Sequence, residues 1–346
     1  MANHRYKISV LIPVYNCAPY VTAAVNSILT QTFPDFEVVI IDDCSTDNTV
    51  QLIQEIDDDR IKIIRKPHNT GITDSLNMGL ELAEGKFIAR MDGDDISVNT
   101  RFEEQVELLE NDPSLVLCGS WMQIMSTDEI VKVPVEHDEI KTEMLAANCV
   151  MHPTVMIRTS FLRENNLKYN RALEPSEDYD LWVRMIEKGK FHNIPKALLM
   201  HRLHDGQTSE TRSSEQQTKA ETIRCIHLSS LTTMRSARKF YDVDRARLET
   251  SQKKKMAIVN WLIGQKATLA YRNECAGVFN REHFDVFLTR HVKAFSRRVF
   301  LSSVSYSPRQ LTCFIRHVAR YPDDFTAREV LKTVVKCVLF YKAREA

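Results

Sequence analysis

FEVVIIDDCSTDNTVQLIQEI, residues 36–56, is the stretch from which the fold is read. An apolar, β-branched run (36–41) stops at two adjacent carboxylates, Asp42 and Asp43, and Asp47 is placed to cap a helix over 49–56. The same unit recurs on both sides. Upstream, KISVLIP (7–13) is a short apolar strand, and over 19–29 Val21, Val25 and Ile28 fall on one side of a helix. Downstream, RIKIIR (60–65) is a third strand and 73–83 a helix; 86–89 opens a fourth strand that ends in Met91-Asp92. Continuously apolar strands alternating with helices predict an α/β fold, a mostly parallel sheet flanked by helices on both faces. Ligands of such sheets sit beyond the carboxyl ends of the strands. The polar clusters fall there: Tyr15-Asn16 after the first strand, Asp42-Asp43 after the second, Asp92-Gly93-Asp94-Asp95 after the fourth.

The 346 residues, 43% hydrophobic and 27% charged, suffice for about two domains and exclude a disordered chain, a collagen-like repeat or a disulfide scaffold. No apolar run approaches the roughly 20 residues of a membrane-spanning helix. The polar segment 1–7 leads straight into a strand, so no signal peptide is expected. The eight cysteines form no CxxC pair and no zinc-ligand cluster, which fits reduced thiols of a cytoplasmic protein. Total charge is balanced, yet residues 221–346 carry 24 basic and 11 acidic side chains, and the first 220 carry 22 and 35. This asymmetry places a boundary near 205–219 and suggests two domains: a catalytic 1–215, and a basic, mainly helical C-terminal region over 220–346. In the latter, 256–269, 284–300, 311–320 and 328–341 read as amphipathic helices. The last sets Leu331, Val334, Val335, Val338 and Leu339 near Lys332, Lys336 and Lys342. Three readings stand: a helical cap on the acidic domain, a homodimer contact, or peripheral contact with the inner face of an anionic membrane. No nucleic-acid-binding motif is present.

Each acidic cluster has a plain structural explanation beside the functional one. Asp-Gly is a common turn dipeptide, so a lone Asp92-Gly93-Asp94 is weak evidence for a site. Carboxylates at alternate positions can nevertheless ligate a hard divalent cation, with Gly93 allowing close approach of the backbone. Ser45, Thr46 and Asp47 are good helix caps; Asp42 and Asp43, butted against an apolar strand end, repel one another unless a partner is present. Glu177-Asp178-Tyr179-Asp180 opens a helix whose Leu181, Trp182, Met185 and Ile186 are apolar. Acids in a first turn suit the helix dipole, and an Asp there can also serve as a general base. His201-Arg202-Leu203-His204 follows the apolar run 197–200. Imidazole ligates metals and Arg clamps diphosphates, although exposed basic residues at a strand end need no such role.

Taken together, these segments resemble the family-2 glycosyltransferases of GT-A fold. The likeness is carried by VLIPVYN (10–16), SILTQT (27–32), EVVIIDDCSTD (37–47), NTG (69–71), NMG (77–79), IARMDGDD (88–95), SEDYDLW (176–182) and RLH (202–204), in order over about the first 210 residues. The resemblance implies a metal-dependent transferase that moves a sugar from a nucleotide-diphospho-sugar, a UDP-sugar above all, to a glycan or lipid-linked acceptor, with inversion. Asp178 is then the catalytic base. Pro13, Tyr15, Asn16, Asp43, Asn77, Arg90 and Asp92 surround the nucleotide, and Arg202 and Glu177 face the diphosphate and acceptor. Asp94 and His204 hold Mn²⁺ or Mg²⁺. The chain departs from the pattern in three places: Ser75-Leu76-Asn77 stands where relatives carry Ala-Arg-Asn, Cys44 where Gly is usual, and His201 where Tyr is usual. Two other readings remain: a sugar-nucleotide nucleotidyltransferase, which would need a Gly-rich basic phosphate loop that 13–19 lacks, and a non-catalytic nucleotide-sugar-binding protein.

Overall fold

The computed structural model describes residues 4–204, 212–242, 252–301 and 308–339. The chain divides into two compact units, Met1–Arg224 and Cys225–Ala346.

In the first unit β1 (Tyr6–Val14), β2 (Phe36–Asp42), β3 (Ile61–Arg65) and β4 (Gly85–Arg90) lie parallel in the order β3-β2-β1-β4. Helices α1 (Val21–Leu29), α2 (Thr49–Gln54) and α3 (Ile72–Leu82) supply the crossovers. The strands β1, β2 and β4 are mostly apolar because both faces are covered, whereas edge strand β3 is only partly buried. Ile8, Val10, Ile12 and Val14 of β1 pack with Val21, Val25 and Ile28 of α1, while Leu11 packs with Val39, Ile41 and Leu76 on the opposite face. Each such side chain, fully buried, contributes about 1.5–3 kcal/mol. Gly79 of α3 lies against β1 so closely that an added Cβ would stand 2.0 Å from Leu11 Cδ1.

The sheet does not remain parallel. Beyond β4, β8 (Met156–Arg158) runs antiparallel to β4 and to β6 (Leu115–Ile124); β6 is parallel to β9 (Lys190–His201). The two-residue strands β5 (Ile96–Ser97) and β7 (Ile130–Val131) pair antiparallel with β9 and β6. Of these strands the sequence pattern signals only the end of β9, at 197–200. The others are very short or, like β6, interrupted by Gly119 and Ser120. Helices α4 (Arg101–Asn111), α5 (His137–Glu143) and α6 (Thr159–Glu164) are likewise unheralded. The helix expected after Ser176 is α7 (Glu177–Ile186), with Leu181, Trp182, Met185 and Ile186 buried.

The C-terminal residues are helical: α8 (Ser213–Leu228), α9 (Met234–Asp242), α10 (Gln252–Ala276), α11 (Arg281–Leu301), α12 (Pro308–Arg320) and α13 (Ala327–Val338). Helix α10 extends past the expected 256–269 and ends at Gly277, whose φ of +62° closes the helix in the left-handed region that glycine tolerates. Phe300, Phe314 and Phe325 form one core; the rings of Phe279, Phe284 and Phe287 stack in another. Residues 205–211 of the expected boundary, and Tyr341 and Lys342 of the last expected helix, lie outside the described residues, as do the side chains at 253–255 and of Cys313. Among the described residues the cysteines are free thiols, and no helix is long and apolar enough to cross a membrane.

Candidate active site

The sheet brings the carboxyl ends of β1, β2 and β4 to one edge. Asp43 follows β2 and its N–H donates to Val14 at the end of β1 (2.9 Å); Met91, past β4, donates to Leu11 (3.2 Å). Gly93 is needed here because an added Cβ would meet Val14 Cγ1 at 2.9 Å. The loops after β1 and β2 are knitted together. Asn16 Oδ1 accepts the Thr46 N–H (2.9 Å), and the Asn16 N–H donates to Ser45 Oγ (2.9 Å). Asp47 does not cap α2 from the capping position, which belongs to Asn48; its carboxylate takes the N–H groups of Thr49 (3.0 Å) and Ala18 (3.2 Å). Asn16 and Cys44 both sit in the left-handed region, at φ 51° and 65°. Cys44 thus keeps the backbone form in which glycine is usual.

The adjacent acids of β2 each have partners. Asp42, fully buried, accepts the Ser45 N–H (3.2 Å) and faces Arg65 (3.4 Å). Asp43 pairs with buried Lys66 at 2.6 Å and accepts the N–H groups of Thr70 and Gly71, each at 2.9 Å. Pro13 is buried in β1, beyond its last pair with β4, and Tyr15 is 48% exposed beside it. The Asn77 amide is engaged with the main chain of Tyr169, donating at 3.0 Å and accepting at 2.9 Å.

At the end of β4, Asp92, Asp94 and Asp95 each offer a carboxylate oxygen, and these lie within 4.8 Å of one another. Asp94 Oδ2 meets His204 Nε2 at 2.9 Å, and Arg202 Nε donates to the Asp94 carbonyl at 3.0 Å. The Arg202 guanidinium also lies over the Tyr20 ring, and that ring packs on His204. Buried Asp95 holds the same segment, facing His201 Nδ1 (2.9 Å) and accepting the Arg202 N–H (3.0 Å). Burial acts to lower the His201 pKa, but Asp95 more than offsets it and raises it. Arg90, buried at the end of β4, grips Asp92 through both terminal nitrogens at 2.5 Å. Burial pushes Asp92 up to about 6; Arg90 opposes this, while Asp94 and Asp95 add to it.

The charge of Arg90 also reaches the start of α7. Asp178 accepts from Asn148 Nδ2 (2.8 Å) and from the Tyr179 N–H (2.7 Å). Its carboxyl is raised by burial, against the pull of Arg90. Neighbouring Glu177, 5% exposed, is pushed to about 8 by burial and then by Asp178. Its Oε2, the Trp182 indole N–H and Arg90 Nε are buried without hydrogen-bond partners among the described residues. His152 packs edge-on against Trp182 and meets the Tyr169 hydroxyl at 3.0 Å; burial, then Arg90, holds its pKa well below the usual histidine value. The structure thus unites Arg90 with Asp92, and Asp94 with Arg202 and His204. Beside these stand Lys66 on Asp43, Asp95 on His201 and the Arg202 N–H, Asn148 on Asp178 and Tyr169 on His152. Asp95 lies inside a recognised segment and Lys66 directly after one; nothing in the sequence points to Asn148.

Residues 9–166 match the model of the family described as "Glycosyl transferase family 2". An uncharacterized glycosyltransferase of Haemophilus influenzae is 35% identical over 231 residues, 63% of this chain and 72% of that protein. The Escherichia coli protein WfaP, named UDP-Glc:alpha-D-GlcNAc-diphosphoundecaprenol beta-1,3-glucosyltransferase, is 30% identical over 210 residues, 60% of this chain and 82% of that protein. Among solved structures, S. aureus TarS 1-349 in complex with UDP-GlcNAc superposes with a TM-score of 0.56 at 18% identity, over 95% of this chain and 90% of that one. The last likeness is one of fold, and that fold is GT-A.

Proposed function

The chain belongs to glycosyltransferase family 2, and on that premise we propose that it catalyses inverting, divalent-metal-dependent transfer from a nucleoside-diphosphate sugar to an acceptor hydroxyl. The donor is a UDP-sugar and the acceptor a glycan or lipid-linked saccharide of cell-surface polysaccharide or glycolipid synthesis, as the name of the E. coli relative suggests. The observation that carries the reading is the meeting of the Asp92, Asp94 and Asp95 carboxylates at the end of β4, with His204 on Asp94. Three carboxylates and an imidazole make an oxygen-rich donor set that suits a hard cation such as Mn²⁺ or Mg²⁺. Asp94 and His204 would hold it, and the ion would supply stabilisation of the negative charge that builds on the departing diphosphate.

The remaining work falls to the chain. Pro13, Tyr15, Asn16 and Asp43 flank the nucleotide at the ends of β1 and β2. Arg202, anchored on the Asp94 carbonyl, faces the diphosphate. Asp178 accepts the proton of the attacking acceptor hydroxyl, as the bond from that oxygen to the anomeric carbon forms and the bond to the diphosphate breaks. Its raised pKa makes it a stronger base than an exposed Asp, and Asn148 fixes its orientation.

A screen of UDP-, GDP- and dTDP-sugars for binding with and without Mn²⁺, followed by turnover assays, tests the reading. Asp94→Ala should abolish the metal-dependent part of donor binding. Asp178→Asn should keep donor binding and cut turnover by about 10²–10⁴. Full turnover in the Asp178→Asn protein would remove the base from Asp178.

A further inference from the structure

Helix α13 carries an apolar strip on its exposed side. Its inward side chains are Thr333 and Cys337, buried, with Val330 and Val334 packed on the Phe300, Phe314 and Phe325 core. The opposite side keeps Leu331 66%, Val335 46%, Val338 57% and Leu339 71% exposed. Spacings of four, three and one residues set these four on one face. Exposed Arg328 and Lys332 fall on the same face at helical spacing, and Lys336 borders it. The helix's acid, Glu329, is neutralised: it pairs with Arg297 and closes a capping box with Thr326. Helix α12 repeats the combination, with Ile315 53% exposed beside exposed Arg316.

Four large aliphatic side chains in water on one helix face mark a covered surface rather than scattered exposure. The charge around them selects the cover. A surface whose apolar strip is fringed by cations, in a stretch with 24 basic and 11 acidic residues from position 221 on, complements an anionic sheet with an apolar interior. We propose that α13 docks in the plane of an anionic phospholipid bilayer, with Leu331, Val335, Val338 and Leu339 among the acyl chains and Arg328 and Lys332 at the phosphates. Long basic side chains beside buried aliphatics reach outward in this way. That the surface serves a lipid-linked acceptor rests on the function proposed above; the surface itself does not.

The test uses the full chain and vesicles of phosphatidylcholine with or without phosphatidylglycerol, read by co-flotation, so that no turnover is needed. The wild-type chain should float with anionic vesicles and not with neutral ones, and added salt should weaken binding. Arg328→Gln with Lys332→Gln should weaken it about thirtyfold. Leu331→Ser with Val335→Ser and Leu339→Ser should weaken it about tenfold or more. These positions are exposed, and an unchanged circular-dichroism melt verifies the fold of each variant. Equal flotation on neutral vesicles, or binding that survives the apolar substitutions, would overturn the proposal. So would absence of flotation together with a self-association, seen in sedimentation, that the apolar variant abolishes; a second copy would then be the cover.

Discussion

Replacing Glu177 by Gln should flatten the dependence of stability on pH between about 6 and 8. Glu177 is 5% exposed at the first position of α7, and its Oε2 has no hydrogen-bond partner among the described residues. Burial, then the neighbouring Asp178 carboxylate, raises it from 4.5 to about 8. The folded value lies above the unfolded one. The stability it contributes is therefore complete below pH 4.5 and is lost as pH climbs towards 8. At about 1.36 kcal/mol per pKa unit, the loss between pH 6 and pH 8 is about 2 kcal/mol. Asp92, raised to about 6, exhausts its own contribution at the lower edge of that window and is common to both proteins. Melting followed by circular dichroism at pH 6, 7 and 8 measures the difference. In a unit of this size about 2 kcal/mol corresponds to a fall of roughly 4–8 °C for the wild-type protein. The Gln variant, with no proton to lose, should fall far less. Parallel curves would refute the claim that Glu177 folds as a neutral acid.

Two further substitutions probe the strand ends. Cys44 holds a left-handed φ of 65°, so Cys44→Gly should stabilise the fold by about 0.5–1 kcal/mol in urea titrations, the relief of strain exceeding the entropy added to the unfolded chain. Lys66→Met leaves Asp43 buried without its cation and should cost about 3–5 kcal/mol; adding Asp43→Asn should recover part of that loss in a double-mutant cycle.

The first, second and fourth strands were legible because both of their faces are largely buried, and β3, at the sheet edge and only partly buried, by its isoleucines. A strand such as FEVVII can hide in no other way, so its pattern survives without knowledge of its neighbours. Past β4 the sheet is assembled from pieces whose identity depends on the partner. Three residues of β8 become a strand because they lie between β4 and β6, and β6 carries Gly119 because a Cβ there would meet Asn193 Oδ1 at 2.3 Å. Such reasons lie across the sheet rather than along the chain. The lone HisArgLeuHis segment shows the same limit: its placement beside Asp94 and Asp95 follows from β9 pairing with β5 and β6, both without a usable local pattern.

The site was legible in its acids and in the basic residues that share their motifs, Arg90, Arg202 and His204, but not in Lys66, and the difference has a physical cause. Carboxylates gather after the strands in motifs that read directly from the sequence. Arg90 stands two positions before Asp92 in the same motif, whereas Lys66 after β3 reaches Asp43 and His204 after β9 meets Asp94 across 110 positions. Asp42 and Asp43, read as repelling unless partnered, are relieved by Arg65 and Lys66 at the end of the adjacent strand. Their adjacency is therefore no sign of a ligand. The carboxylates of Asp92, Asp94 and Asp95 differ, because an oxygen of each lies within 4.8 Å of the others, and burial first, with Asp94 and Asp95 adding to it, keeps Asp92 raised. This convergence on one point, rather than the number of acids, is what separates the edge at β4 from the edge at β2. It is at β4 that substitution should remove cation binding, while at β2 it should remove stability.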